Sequence, residues 1–275
     1  MLGHEFMRNA FAAGTAIGAA CGLVGYLLVL RAKVFAGDGL SHVAFTGGLA
    51  AAAAGVDLRA GLFAATLAVA LGMSGLGPRA RADDVAIGIV FAWVLGVGVL
   101  FLAIFTTNGS ATNGTASVRV LFGSIFGLSA ADVRTTVVLA VVAIAILAAI
   151  ARPLLYASLD AGVAAAQGVP VRLLGLVFLG ILGLVAAQAT QAVGALLLLG
   201  LLAAPAGAAH RVTTRPWIGI GLSAGFALAS IWLGLTLSYI FPTLPASTMI
   251  ISTAVTIYAA AMSLPGLDRL TRVNP

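Results

Sequence analysis

One short stretch of the chain holds residue types that could do chemistry, at a spacing that would let them act together. It is Gly37-Asp38-Gly39-Leu40-Ser41-His42, where a carboxylate and an imidazole stand four residues apart. On a helix that spacing puts both side chains on one face, a turn apart, with Ser41 alongside. A carboxylate and an imidazole can jointly hold a divalent cation such as zinc, manganese or ferrous iron. The same residues also admit a structural reading, with Asp38 capping the start of a helix and His42 hydrogen-bonded to it. Spacing alone leaves both open.

Ligand number sharpens the metal reading. A divalent transition ion wants about four ligands, and one chain offers two here. A two-fold homodimer, the commonest closed assembly, would bring two Asp and two His to a pore on its axis. Such a site must release its ion, so imperfect coordination suits a conduit better than a closed cage.

The elements that must position this pair are set by composition. Of 275 residues, 61% are hydrophobic and only 8% are charged, against roughly 25% charged in soluble domains. With a mean hydropathy of +1.15, too little polar surface remains to cover a globule in water, so the chain reads as an integral membrane protein. The unit to count is then the apolar run of about 20 residues that spans the hydrocarbon. Charge-free runs cover residues 9–30, 40–56, 60–77, 85–105, 135–150, 173–209, 217–240 and 246–264. The run 173–209 is too long for one pass, and Gln188, Thr190 and Gln191 are expected to make a tight polar turn within it. Each pass must be helical, because only helices and closed barrels satisfy the backbone in lipid, and the alternation of barrel strands is missing. The expected fold is an all-α polytopic bundle of about eight or nine transmembrane helices, forming a single permease domain over residues 1–275.

Orientation follows from the basic residues of the short loops. Arg31 and Lys33, Arg79 and Arg81, Arg152 and Arg172, Arg211 and Arg215, and Arg269 and Arg272 fall on one face, which predicts a cytoplasmic C-terminus and an external N-terminus. The net charge of +6 is dispersed, so nucleic acid is not an expected partner. The first run is longer than a signal-peptide core and has no small-residue cleavage site, so it is expected to stay in the mature chain. Along it, Gly14, Gly18 and Gly22 make a small-residue face suited to close helix packing. The loop around Asn108-Gly-Ser110 and Asn113-Gly-Thr115 is expected to be external and flexible, leading into a short or re-entrant helix.

Several activities are excluded. The only lysine is Lys33, so the glycine loop ending in Lys that cradles nucleotide phosphates is missing. The three histidines, His4, His42 and His210, form no His-Glu-x-x-His motif, and neither His4 at the terminus nor His210 beside Arg211 looks like the partner of a nucleophilic serine. The lone Cys21 rules out an intrachain disulfide and multi-cysteine metal sites. Binding or transport remains, with no enzyme activity and no permanently bound cofactor expected. Residues 156–172 add a short helix outside the membrane, with Ser158 as N-cap, Gly168 just past its end and Pro170 closing it. A partner with a groove could receive it.

Taken together, these segments resemble the integral-membrane permease of bacterial metal-ion ABC importers, of the zinc, manganese and iron type, over essentially the whole length. Residues 37–42 are similar to the family's Gly-Asp-Ala-Leu-Ser-His, with Asp38, Ser41 and His42 matching; where the family continues with Pro-Gly, this chain has Thr46-Gly47. The loop with Asp160, Ala164, Gly168 and Pro170 resembles the family's coupling loop Asp-Pro-Glu-Phe-Ala-x-x-x-Gly-x-Pro, although Ala161-Gly162 replaces Pro-Glu. The stretches at Gln191, Gly194 and Pro205, at Gly234 and Ser238, and at Pro245 to Thr248 resemble the family's last spans.

The resemblance implies a type II ABC importer-like permease in the bacterial cytoplasmic membrane. It would be a homodimer with two cytoplasmic ABC ATPase subunits that bind ATP, served by an extracytoplasmic metal-binding protein. Asp38 and His42 would be pathway ligands with Ser41 beside them, and Asp160, Ala164, Gly168 and Pro170 would couple to the ATPase. Three other readings compete, one of them an interaction scaffold without transport, for which Asp38→Ala would be harmless. An ABC permease for siderophores or corrinoids would not need Asp38 and His42 on the axis, and a proton- or sodium-coupled secondary transporter would use Asp38 as its protonation site.

Overall fold

The computed structural model describes residues 4–75, 84–107 and 123–263. Among them there are ten α-helices: α1 (Glu5–Leu30), α2 (Val34–Ala53), α3 (Leu58–Gly75), α4 (Asp84–Thr107), α5 (Ala130–Leu159), α6 (Ala161–Ala166), α7 (Val171–Val193), α8 (Leu198–Val212), α9 (Pro216–Ile240) and α10 (Ala246–Ser263), with a 3₁₀ turn at Ile125–Gly127. All but α6 are at least 15 residues long, consistent with the expected eight or nine passes. Five of them, α1, α5, α7, α9 and α10, are long and apolar enough to cross a bilayer. Segments of α3, α4 and α8 are shorter apolar helices. The sequons at Asn108 and Asn113, and Arg79, Arg81, Arg119, Arg269 and Arg272, lie outside the described residues.

Two compact units divide the chain. The first holds α1, the start of α5, and α8 to α10. Its seam is the small-residue face of α1. A Cβ on Gly22 would lie 2.5 Å from the Cα of Ala224 on α9, whereas one on Gly14 would meet only side chains, Ile231 nearest at 2.7 Å. The backbones can touch because the side chain is missing, which in lipid, where apolar burial drives nothing, is how helices associate. Ser223 Oγ fastens the seam by donating to the Gly22 carbonyl at 2.6 Å. At the far end of α1, His210 stacks on Tyr26 with ring centroids 4.1 Å apart, and its Nε2 lies 3.2 Å from the Tyr26 carbonyl. His4 sits at the N-cap position of α1.

The second unit holds α2, α3, α4, the end of α5, α6 and α7. Ala44 of α2, Leu62 of α3 and Ala187 of α7 form one buried cluster, and Phe45 and Leu49 of α2 form another with Ala195. Thr46, at the position where the resemblance led to an expected proline, donates to the Val94 carbonyl of α4 at 3.1 Å. A proline there could not make this bond.

Two local expectations are corrected. Gln188, Thr190 and Gln191 lie inside α7, and the chain turns later, at Gly194, whose φ is +95°. Glutamine and threonine are polar yet compatible with a helix, whereas a left-handed φ is a glycine conformation. Ser158 does not cap the short helix, because α5 runs on to Leu159 and Ser158 donates back to Leu154. Asp160 caps α6, its Oδ1 accepting from the backbone N–H of Gly162 and Val163 at 2.9 Å each.

Candidate metal centre

Asp38 and His42 both lie within α2, which begins at Val34. Asp38 is therefore in the second turn, past the position where a side chain caps a helix, and the capping alternative is not what forms. His42 Nε2 and Asp38 Oδ1 are 3.9 Å apart, with 10% of the His42 and 22% of the Asp38 side chain exposed. At that separation the two do not hydrogen-bond. Two ligands of a tetrahedral ion with bonds of about 2.1 Å stand about 3.4 Å apart, so a small rotamer adjustment closes the pair on a cation.

The imidazole is held on its other sides. Phe91 of α4 packs edge-on to it with centroids 4.9 Å apart. Its Nδ1 is buried and has no hydrogen-bond partner, an arrangement that natural structures avoid unless something else pairs with the nitrogen. Ser41 does not face the pair as a ligand. Its Oγ lies 2.7 Å from the Asp38 carbonyl and 3.0 Å from the Ala195 carbonyl. It fastens the ligand-bearing turn of α2 to the turn that follows α7. Gly39 leaves room beside Asp38, since a Cβ there would meet nothing within 4 Å.

Among the described residues no group of three or more His, Cys, Asp or Glu gathers. One chain therefore supplies a bidentate half-site, too few ligands to hold a transition ion alone.

The expected coupling residues are brought together at α6. Asp160 starts it, Ala164 is buried and Gln167 closes it. Gly168, at φ +83°, donates to the Ala165 carbonyl while Val169 donates to Ala164. This pair of bonds is the Schellman ending, which calls for a left-handed residue where Gly168 stands. Pro170 then caps α7. Leu159 and Val163 project from this hairpin, 69% and 46% exposed, an apolar edge on an otherwise capped and closed motif. Reasoning from the sequence missed Gln188, Thr190 and Gln191, read as a turn, and the Thr46 bond to α4; only the packing reveals either.

The fold brings helices apolar enough to cross a membrane together with an acid and an imidazole on one face of α2, which fits a membrane transport protein. The chain matches the family model described as "ABC 3 transport family" over residues 3–264, and it belongs to that family. It is 27% identical over 266 residues to the "Manganese transport system membrane protein MntC" of Listeria monocytogenes, covering 96% of this chain and 93% of that one. It is 30% identical over 253 residues to the "Manganese import system permease protein ScaB" of Streptococcus parasanguinis, covering 91% and 88%. Among solved structures, "PsaBC from Streptococcus pneumoniae in complex with Fab" superimposes with a TM-score of 0.83 at 25% identity, covering 97% of this chain and 94% of that one. The protein is thus a transport subunit of the cytoplasmic membrane rather than an enzyme.

Proposed function

We propose that the chain is the single permease domain, residues 1–275, of an ABC importer that carries a divalent metal, manganese first, into the cell. The observation that carries this reading is the Asp38–His42 pair. Its ligand atoms are 3.9 Å apart on one face of α2, bonded to neither each other nor a third ligating residue of the described chain. Manganese accepts carboxylate and imidazole, and the manganese relatives MntC and ScaB support it. Two copies facing each other would complete a four-ligand site that is weak enough to release its ion.

The energy comes from a separate ATPase. Docked on α6, it would grip the exposed Leu159 and Val163 and hold the Asp160 and Gly168 ends of the hairpin rigid. An extracytoplasmic metal-binding protein would deliver the ion. The test is metal-resolved uptake in a strain lacking this gene, complemented by the wild-type chain. ATP-dependent manganese accumulation is expected, and accumulation of an iron-siderophore or a corrinoid instead would reject the assignment.

A further inference from the structure

Among the described residues no hydrogen bond holds the plane of the His42 ring. A histidine that binds a metal almost always donates its other ring N–H to a carboxylate, a carbonyl or water, and that bond fixes the orientation of the ring. The Nδ1 of His42 is buried and makes no such bond. Its Nε2, 3.9 Å from Asp38 Oδ1, is too far away to hydrogen-bond there. What does touch the imidazole is Phe91 of α4, whose ring stands at 85° to it with centroids 4.9 Å apart. This is the edge-to-face arrangement that aromatic quadrupoles favour.

The seam between α2 and α4 sets the level at which Phe91 meets His42. His42 and Thr46 are four residues apart on α2, and Phe91 and Val94 are three apart on α4, so each pair shares a helical face. Thr46 Oγ1 donates to the Val94 carbonyl at 3.1 Å, which registers the two helices one turn from the ring contact. A turn further on, a Cβ on Gly98 would lie 2.7 Å from Thr46 Oγ1 and 3.5 Å from the Phe45 ring, so the absent side chain leaves room for that bond. Beyond it, Phe101 and Phe105 pack on the cluster of Phe45 and Leu49. Residues 91, 94, 98, 101 and 105 follow the three- and four-residue spacing of one helical stripe.

We infer that Phe91 is a positioning residue for the ion: its ring, in place of a hydrogen bond at Nδ1, fixes the imidazole plane with Nε2 toward Asp38. This rests on the reading of Asp38 and His42 as pathway ligands. A ring held this way is oriented without the gain in basicity that an acceptor for its N–H would give, which suits a site that must let its ion leave. The test is manganese binding by the purified permease–ATPase complex. Free Mn²⁺ is followed by its electron paramagnetic resonance signal, and the coupling of ligand nitrogen to bound Mn²⁺ is read by electron spin echo. Phe91→Leu, which keeps apolar bulk and removes the ring, should raise the Kd about tenfold and weaken the nitrogen coupling. Phe91→Tyr, which keeps the ring, should recover most of both, and Thr46→Val should shift the Kd in the same direction as Phe91→Leu. A purely structural Phe91 would instead lower the thermal midpoint and leave the Kd and the coupling of the folded complex at wild type, and that result would overturn the proposal. So would a Kd as weak in Phe91→Tyr as in Phe91→Leu. His42→Ala is measured alongside. If it keeps the wild-type Kd and coupling, the parent reading falls; if it loses both while Phe91→Leu keeps both, only the role of Phe91 falls.

Discussion

The hydroxyl of Ser41 reaches the carbonyl of Ala195 at 3.0 Å across 154 residues of chain. This bond joins the turn of α2 that carries Asp38 and His42 to the turn that follows α7 after Gly194, so the ligand-bearing turn is anchored on that connection. The single hydroxyl proton of Ser41 is shared with the nearer Asp38 carbonyl at 2.7 Å, so replacing Ser41 with alanine removes a bifurcated bond from both carbonyls. Interhelical hydrogen bonds in membranes contribute about 0.6 kcal/mol, at most about 1.7. Ser41→Ala should lose that much stability in detergent and a larger share of uptake, since the ligand turn loosens. An unchanged thermal midpoint would remove the anchor from the mechanism.

Gly39 is a helical glycine with open space where its side chain would be. Alanine there, the residue of the related motif, should stabilise the protein by about 0.5–1 kcal/mol with uptake at the wild-type level. A fall in either quantity would mean that another surface uses the space beside Asp38.

Gly168 has a left-handed φ of +83°, which a β-branched residue enters only with strain. Gly168→Val should unravel the ending of α6, weaken co-purification with the ATPase and reduce uptake, while manganese binding by the permease persists. Asp160→Ala, which removes the cap, should act in the same direction at a cost of about 1 kcal/mol. Full ATPase recovery in both variants would show that α6 is only a connector.

The α1–α9 seam separates two glycines of the same face. A Cβ on Gly22 strikes backbone, Ala224 Cα at 2.5 Å, while on Gly14 it strikes the movable Ile231 side chain. Gly22→Ala should therefore reduce the yield of monodisperse protein in size-exclusion chromatography far more than Gly14→Ala. Equal yields would place the seam elsewhere.

The sequence made the all-α class and the approximate number of passes legible, because the cost of charge in lipid leaves long runs without any. The Asp38–His42 face was legible too, since helical spacing fixes which residues stand together. What escaped depended on backbone conformation or distant contacts. Polarity marked Gln188 to Gln191 as a turn, whereas the helix stops where Gly194 takes a positive φ. Ser158 and Asp160 are both good caps, and only the length of α5 decides between them. The Thr46 bond to Val94 joins residues 48 apart and left no local mark.

The most direct measurement is manganese uptake by cells producing the complete importer with wild-type permease, Asp38→Ala or His42→Ala at equal membrane abundance, with ATPase co-purification as the control for assembly. Either substitution should cut uptake at least about tenfold and leave the complex assembled. Wild-type uptake in both variants would contradict the assignment of Asp38 and His42 as the ligands that pass the ion through the membrane.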